Sequence, residues 1–318
     1  GDKPAGRRAW FGGWIMLRKP ILALTSDRTK TAEKNNVCGD PEDWFDSEYF
    51  RRYSIYSASF DFFVDWSTDS VCDEVWIKRI SDTDDIWHKN EKELLDLILA
   101  CDGKGKANSN YWFLKTQGIK EKYMLFRDVT EERWKNGEEY LVEVDLSMYR
   151  HNPISYWDAD GIQKKIENLR RKPVSIGGGG LRYSTSSLEG YLSKQQYFWP
   201  GDADTVLYDR KNRAAAVIEF KKHTAHSKIP FREQCLSNYL NRDILKYKSL
   251  ALLRDRLETK LFVLYYPIPK NISYIIVEEV RGTPDSLQVD RRVEMELPKK
   301  ADKSSMDTFA ERFVYEFL

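Results

Sequence analysis

The sequence predicts an α/β protein: a mixed central sheet flanked by helices in the C-terminal half, preceded by an α+β accessory module. Two observations carry the first part. Apolar runs of strand length recur at 204–208, 214–221, 261–266 and 272–277. Between the second and third lies a helical stripe, with Leu236, Leu240, Ile244, Tyr247, Leu250, Leu253 and Leu257 at steps of three or four. The accessory module rests on a third: residues 38 to about 150 are acidic and aromatic-rich, with shorter strand and helix signals. The expected division is 1–150 and 151–318.

In chain order, residues 1 to about 37 read as a basic arm. Ser59 to Trp66 alternates as a strand. Asn90 caps a helix through Leu94, Leu95, Leu97, Ile98 and Ala100. The runs 111–114, 123–126 and 140–144 read as strands, and His151-Asn152-Pro153 as a connection. Asp160 is placed as the cap of a helix running to Arg171. Pro173 and Gly177 to Gly180 then break regular structure; the glycines read as a hinge, since no Lys-Ser/Thr follows them as in a nucleotide-binding loop. Ser186 or Ser187 opens a short helix containing Glu189. After the strand at 214–221, one helix is expected from about Phe231 to Leu257. The chain ends in an amphipathic piece, Phe309 to Phe317. No internal repeat is visible.

The chain carries 51 Lys and Arg against 50 Asp and Glu, a net charge of +1. That balance hides an asymmetry, because about 17 acids and 6 bases fall between Cys38 and Gly103. The basic remainder suits a polyanionic partner, and the acidic module suits a protein partner or a solvated face. Cys38, Cys72, Cys101 and Cys235 have no paired spacing, which argues against a zinc site or disulfide framework and for a reducing, intracellular compartment. No apolar run approaches the roughly 18 residues of a membrane span, and no clear signal peptide is present.

The chemistry concentrates at Gly201-Asp202-Ala203-Asp204 and at Ile218-Glu219-Phe220-Lys221. Side chains alternate along a strand, so Glu219 and Lys221 share a face. The turn 209–213 would bring Asp204 beside Glu219. Two carboxylates beside an ammonium can hold Mg²⁺ and set a water against a phosphodiester. An exposed ion pair is the rival reading of Glu219 and Lys221, but the strand leading into them is too apolar for an ordinary edge. Asp202 is the alternative to Asp204, which is preferred because Thr205-Val206-Leu207 follows it directly. Lys222, Gln234 and Arg242 are candidate nucleic-acid contacts, and Arg232, Lys246 and Lys248 on the expected helix could also meet backbone phosphates or form a solvated face. His223 and His226 lack a further soft ligand nearby. No Ser–His–Asp spacing or calcium loop competes.

Residues 200–204 and 218–221, with Glu189 on the preceding helix, resemble the core of the PD-(D/E)XK nuclease superfamily, which has a restriction-endonuclease-like fold. The resemblance covers roughly 181–280. It implies that Asp204 bridges the metal, Glu219 is a second ligand with the Phe220 carbonyl as a third, and Lys221 orients or helps deprotonate the attacking water. Glu189 corresponds to the helix acid that some subfamilies add. Tyr239 lies five residues after Gln234, whereas the exonuclease-type branch spaces its Gln and Tyr by four. The implied function is Mg²⁺-dependent (or Mn²⁺-dependent) hydrolysis of nucleic acid, DNA ahead of RNA, leaving 5′-phosphates. The alternative is an inactive nuclease fold serving as a nucleic-acid or protein scaffold. Enzymes of this type that cut both strands often form homodimers, but the sequence carries no dimer signature.

Overall fold

A computed structural model describes residues 16–146, 153–173, 180–195 and 198–318. The first fifteen residues of the basic arm, His151-Asn152 and most of the glycine run lie outside the described residues. An N-terminal strap contributes β1 (Leu17–Arg18), β2 (Ala23–Leu24) and β3 (Asp27–Thr31), then α1 (Pro41–Phe45) and α2 (Glu48–Arg51). Next come β4 (Ile55–Asp65), β5 (Ser70–Ser81), α3 (Glu91–Asp102), α4 (Lys104–Thr116), β6 (Lys120–Arg127), α5 (Glu131–Lys135), β7 (Tyr140–Asp145), β8 (Ile154–Asp158) and α6 (Ala159–Arg170). After β9 (Tyr183–Ser184) and α7 (Ser187–Leu192) follow β10 (Gly201–Asp209), β11 (Ala214–His223), α8 (Ser237–Leu240), α9 (Ile244–Arg256), β12 (Lys260–Pro267), β13 (Tyr274–Thr283), β14 (Ser286–Glu296) and α10 (Lys303–Phe317).

The protein is a mixed α/β molecule. One 11-stranded sheet runs β14-β13-β12-β11-β10-β4-β5-β6-β7-β8, with β1 added on β5, and a small antiparallel sheet runs β3-β2-β9. Although the sequence shows no repeat, the topology does. β4 to β8 pair antiparallel, parallel, antiparallel and antiparallel, and β10 to β14 do the same. Each parallel step is spanned by two helices, α3 and α4 or α8 and α9, and each unit closes with a long helix, α6 or α10. The units meet where β4 and β10 pair antiparallel, with Phe60 opposite Ala203 and Asp61 opposite Asp202. An approximate dyad through the Phe60–Ala203 pair carries Asp61 onto Asp204.

Burial explains this layering. On one face a single core under both units joins Tyr111, Phe113 and Leu114 of α4 to Tyr247, Leu250 and Leu253 of α9. On the other face the core is split. Trp76, Phe126, Ile162 and Leu188 form one cluster; Phe45, Phe262, Phe309 and Phe313 form another. The short helices are exchanged between units. α1, which leads into β4, packs on the C-terminal unit, and α7, which leads into β10, packs on the N-terminal one.

Several local expectations are corrected. Residues 111–114 are helical in α4, because Ala107, Asn110, Tyr111 and Leu114 make a buried stripe with helical spacing. The helix expected over 231–257 is broken: Arg292 takes the carbonyls of Arg232 and Gln234 at 2.7 Å each, and Glu278 takes the Leu236 N–H at 2.8 Å. Those backbone groups find partners outside a helix, and the span yields only one short α-helix, α8 at Ser237–Leu240, before α9 begins at Ile244. The cap of α6 is Asp158, which accepts from Gly161 N at 2.7 Å, with Asp160 in the first turn.

One buried group works against the fold. Glu121 on β6 is 1% exposed, and neither carboxylate oxygen has a hydrogen-bond partner. Burial, then Asp102, push its pKa from 4.5 up to about 8, with Arg79 opposing. Below pH 4.5 both folded and unfolded chains hold the proton. As pH rises towards 8, only the folded chain must keep it, so stability falls by about 1.4 kcal/mol per pH unit. Glu121→Met is therefore expected to gain about 3 kcal/mol at pH 7 and to flatten the decline between pH 5 and 8. Urea unfolding across that range checks it.

Candidate active site

β10 and β11 pair only from Thr205–Ile218 outward, and a bulge interrupts β10 against β4 between Ala203 and Val206. The two strands therefore part at Asp204, which pairs with neither neighbour, and at Glu219, which keeps only its β12 partner Val263. Asp204 Oδ2 accepts the Phe220 N–H at 2.6 Å, which fixes one acid against the other strand. Glu219 is 1% exposed, and its Oε1 meets Lys246 Nζ at 2.8 Å and Lys221 Nζ at 3.2 Å. Its Oε2 is buried without a hydrogen-bond partner. Lys246 also reaches Asp202 at 3.3 Å. Lys221 lies 3.5 Å from Asp243 and beneath the rings of Tyr239 and Tyr247.

The electrostatics follow from this crowding. Burial, then Glu219 and Asp202, raise the Asp204 carboxyl well above its usual range, while Lys246 and the Phe220 N–H oppose. Burial pulls Lys246 down, but Asp202, Glu219 and Asp204 outweigh it and hold the ammonium charged. Asp202 is lowered, by Lys246 first and against burial, with Lys78 adding to the effect. A divalent cation would suit this place. Mg²⁺ commonly takes one or two carboxylates and keeps its waters. Asp204 and Glu219 would hold it, and the orphaned Oε2 and the crowded Asp204 are the observations that fit. Among the described residues no group of three or more His, Cys, Asp or Glu side chains forms a ready-made cage.

The structure thus sets Asp204 beside Glu219 and Glu219 beside Lys221, but of the three only Asp204 lines the cleft described below; Glu219 and Lys221 share the opposite face of β11. Glu189 lies elsewhere: its carboxylate accepts from Thr185 N at 2.8 Å and from the Thr185 hydroxyl, and sits 3.6 Å from Lys78. Lys78 in turn is 3.1 Å from Asp61, whose other partner is Trp199 Nε1 at 2.8 Å. Asp61, Lys78 and Glu189 form a second polar centre on the N-terminal side of the dyad. Burial, with Asp202 and Glu189 nearby, pushes the Asp61 carboxyl up to about 7 against the pull of Lys78. Burial would lower Lys78, but Asp61, Glu189 and Asp202 keep it above its usual value. Several carboxylates share one ammonium, so the lysine stays charged and an acid gives way.

Lys222 lines the cleft described below and donates to the Glu33 carbonyl at 3.2 Å. Arg242 is largely exposed and pairs with Asp243 at 3.1 Å. Gln234 is buried; its amide donates to Ser227 and Ile229 and accepts from the Tyr239 hydroxyl. Lys246, read from sequence as a phosphate contact, is instead a member of the acid cluster. Its position three residues after Asp243, on the helix following Glu219, was the available signal. Asp61 and Lys78 had none, because only the dyad brings them here.

Asp202, Asp204, Asp61, Lys78, Phe220 and Lys222 line one cleft of about 490 Å³ between the two split cores. Comparison with family models, with curated proteins and with solved structures finds no match for this chain.

Proposed function

We propose that the protein is a metal-dependent nuclease of the PD-(D/E)XK kind, hydrolysing nucleic-acid phosphodiesters, DNA ahead of RNA. The observation that carries this reading is the buried, unpartnered Oε2 of Glu219 at a strand split shared with Asp204. A carboxylate oxygen buried without a donor costs free energy unless a cation completes it. When bound there, Mg²⁺ would lower the pKa of a water and neutralise charge developing on the phosphate.

The chain's own residues supply the rest. Asp204 and Glu219 bind and orient the cation. Lys221, held by Glu219 and Asp243, sets its ammonium where it can orient the attacking water and offset charge on phosphorus-bound oxygens. Lys246 neutralises Glu219 and Asp202, and a cation held by Asp204 and Glu219 would free its ammonium for a phosphate oxygen.

The test is cleavage of plasmid, linear duplex, single-stranded and branched DNA and of RNA, with Mg²⁺, Mn²⁺ or EDTA. Cutting that needs metal and disappears in Glu219→Ala is expected. The saturation of Glu219 Oε1 by two lysines favours the alternative of an inactive scaffold, and binding without cutting under every condition would establish that instead.

A further inference from the structure

We propose that the cleft admits an unpaired nucleic-acid strand and excludes an intact duplex, and that the strap of residues 19–35 makes the distinction. The proposal deepens the nuclease reading and rests on it for the identity of the polymer.

The floor of the cleft comes from both units: Ser59 and Asp61 of β4, Lys78 of β5, Asp202 and Asp204 of β10, and Phe220 of β11. Its roof is the strap, through Lys19, Pro20, Ile21, Leu22 and Lys34. The strap is tied down at both ends. On the N-terminal unit β1 pairs with β5, Leu17 opposite Ser81. On the C-terminal unit Asn35 Nδ2 donates to the Pro267 carbonyl at 2.9 Å, and Cys38 and Trp44 enter the core. Between these ends β2 pairs with β9, and Arg28 grips Asp128 at 2.9 Å and the Ser184 carbonyl at 2.8 Å.

Size and chemistry then point the same way. The strap crosses a cleft of about 490 Å³ with both ends anchored, which leaves a closed passage beneath it, and a B-form duplex, whose major groove alone is about 12 Å wide, is too broad to thread there. Ile21 and Leu22 are each 39% exposed and face a cleft also lined by Phe220 and Tyr266. Such apolar and aromatic surfaces receive the open faces of unpaired bases, which a duplex keeps stacked internally. Three ammonium groups stand ready for the backbone. Lys19 pairs with Glu42 at 2.9 Å and Lys34 with Asp40 at 3.7 Å, both part-exposed pairs of little strength that phosphates can replace. Lys222 has no carboxylate within ion-pair distance among the described residues; its partner is a backbone carbonyl. A strand lying here passes over Asp204.

The experiment measures fluorescence anisotropy of the full chain with a labelled single-stranded DNA of about twelve nucleotides and with the same sequence as a blunt duplex, in EDTA. The single strand is expected to bind about tenfold tighter or more, the equivalent of one stacked base. Leu22→Asp and Lys222→Ala should each weaken that binding severalfold without shifting the melting temperature. Equal affinity for the duplex, no binding of the single strand, or strap variants that bind like the parent would each overturn the proposal. Parallel reactions in Mg²⁺ separate it from the nuclease reading. Duplex cut as fast as single strand sinks the strap inference alone. Selective binding with no cleavage in Mg²⁺ or Mn²⁺ sinks the nuclease reading and leaves the selectivity standing.

Discussion

Glu219→Gln and Asp204→Asn are both expected to lower cleavage by about a thousandfold or more, while moving stability in opposite directions. Each removes a charge that would hold the cation, and loss of metal-borne charge stabilisation is costly at the level of several kcal/mol in the transition state. Their structural surroundings differ. Glu219 is the counter-ion of Lys221 and Lys246, so the neutral amide leaves two ammonium groups together with less compensation. That variant should be destabilised, by about 2–4 kcal/mol. Asp204 is instead a carboxyl whose pKa is raised by burial and by the neighbouring Glu219 and Asp202.

The sign for Asp204 is that of an acid whose folded pKa is raised. Its cost is absent below the unfolded value of 3.8 and grows as pH rises above it. Asp204→Asn removes that cost and should melt higher than the parent at pH 8, with a smaller difference at pH 5. Denaturant unfolding at both values, alongside steady-state cleavage, checks the pair. An Asp204→Asn protein that is both active and less stable would contradict the role given to this residue. Because proton and metal would compete for this raised carboxyl, metal affinity in the parent should climb with pH.

Lys78→Met carries the next largest effect, a loss of about 3–5 kcal/mol of stability. The ammonium is almost wholly buried and sits 3.1 Å from Asp61 and 3.6 Å from Glu189, with Asp202 nearby. Removing it leaves acids in a low-dielectric place with no cation between them. Since Asp61 already titrates at about 7, part of the cost should disappear as pH falls and the acids take up protons. Adding Asp61→Asn should restore much of the loss, and the double-mutant cycle by urea unfolding measures the coupling. A Lys78→Met protein as stable as the parent at pH 8 would mean that this centre is solvated and not a buried ionic knot.

The C-terminal unit was largely legible in the sequence, for a physical reason. β12 is buried along almost its whole length in the middle of the sheet, so it reads as a continuous apolar run, and β10 and β11 are nearly as clear. The candidate acids lie where those runs begin and end. The N-terminal unit repeats the same order of elements but hides it. In β11 the buried run Ala216-Val217-Ile218 leads straight into Glu219, whereas β5 enters through Cys72-Asp73-Glu74, and its polar residues mask the strand period. β14 was also missed: nearly all of its residues face solvent, and only Met295 is buried. The resemblance puts Glu189, on the helix just before β10, at the Asp204 centre as the helix acid of some subfamilies. The exchange of α7 onto the neighbouring unit takes it to Lys78 instead, and an exchange of that kind leaves no local signal.

The central claim is that Asp204 and Glu219 hold a divalent cation, and the most direct measurement is the melting temperature of the parent, Asp204→Asn and Glu219→Gln with and without millimolar Mg²⁺ or Mn²⁺. A ligand that binds only the folded chain raises its stability in proportion to the logarithm of its concentration over Kd. The account predicts a metal-dependent rise in the parent and none in either variant. Equal shifts in all three proteins, or no shift in the parent, would contradict it.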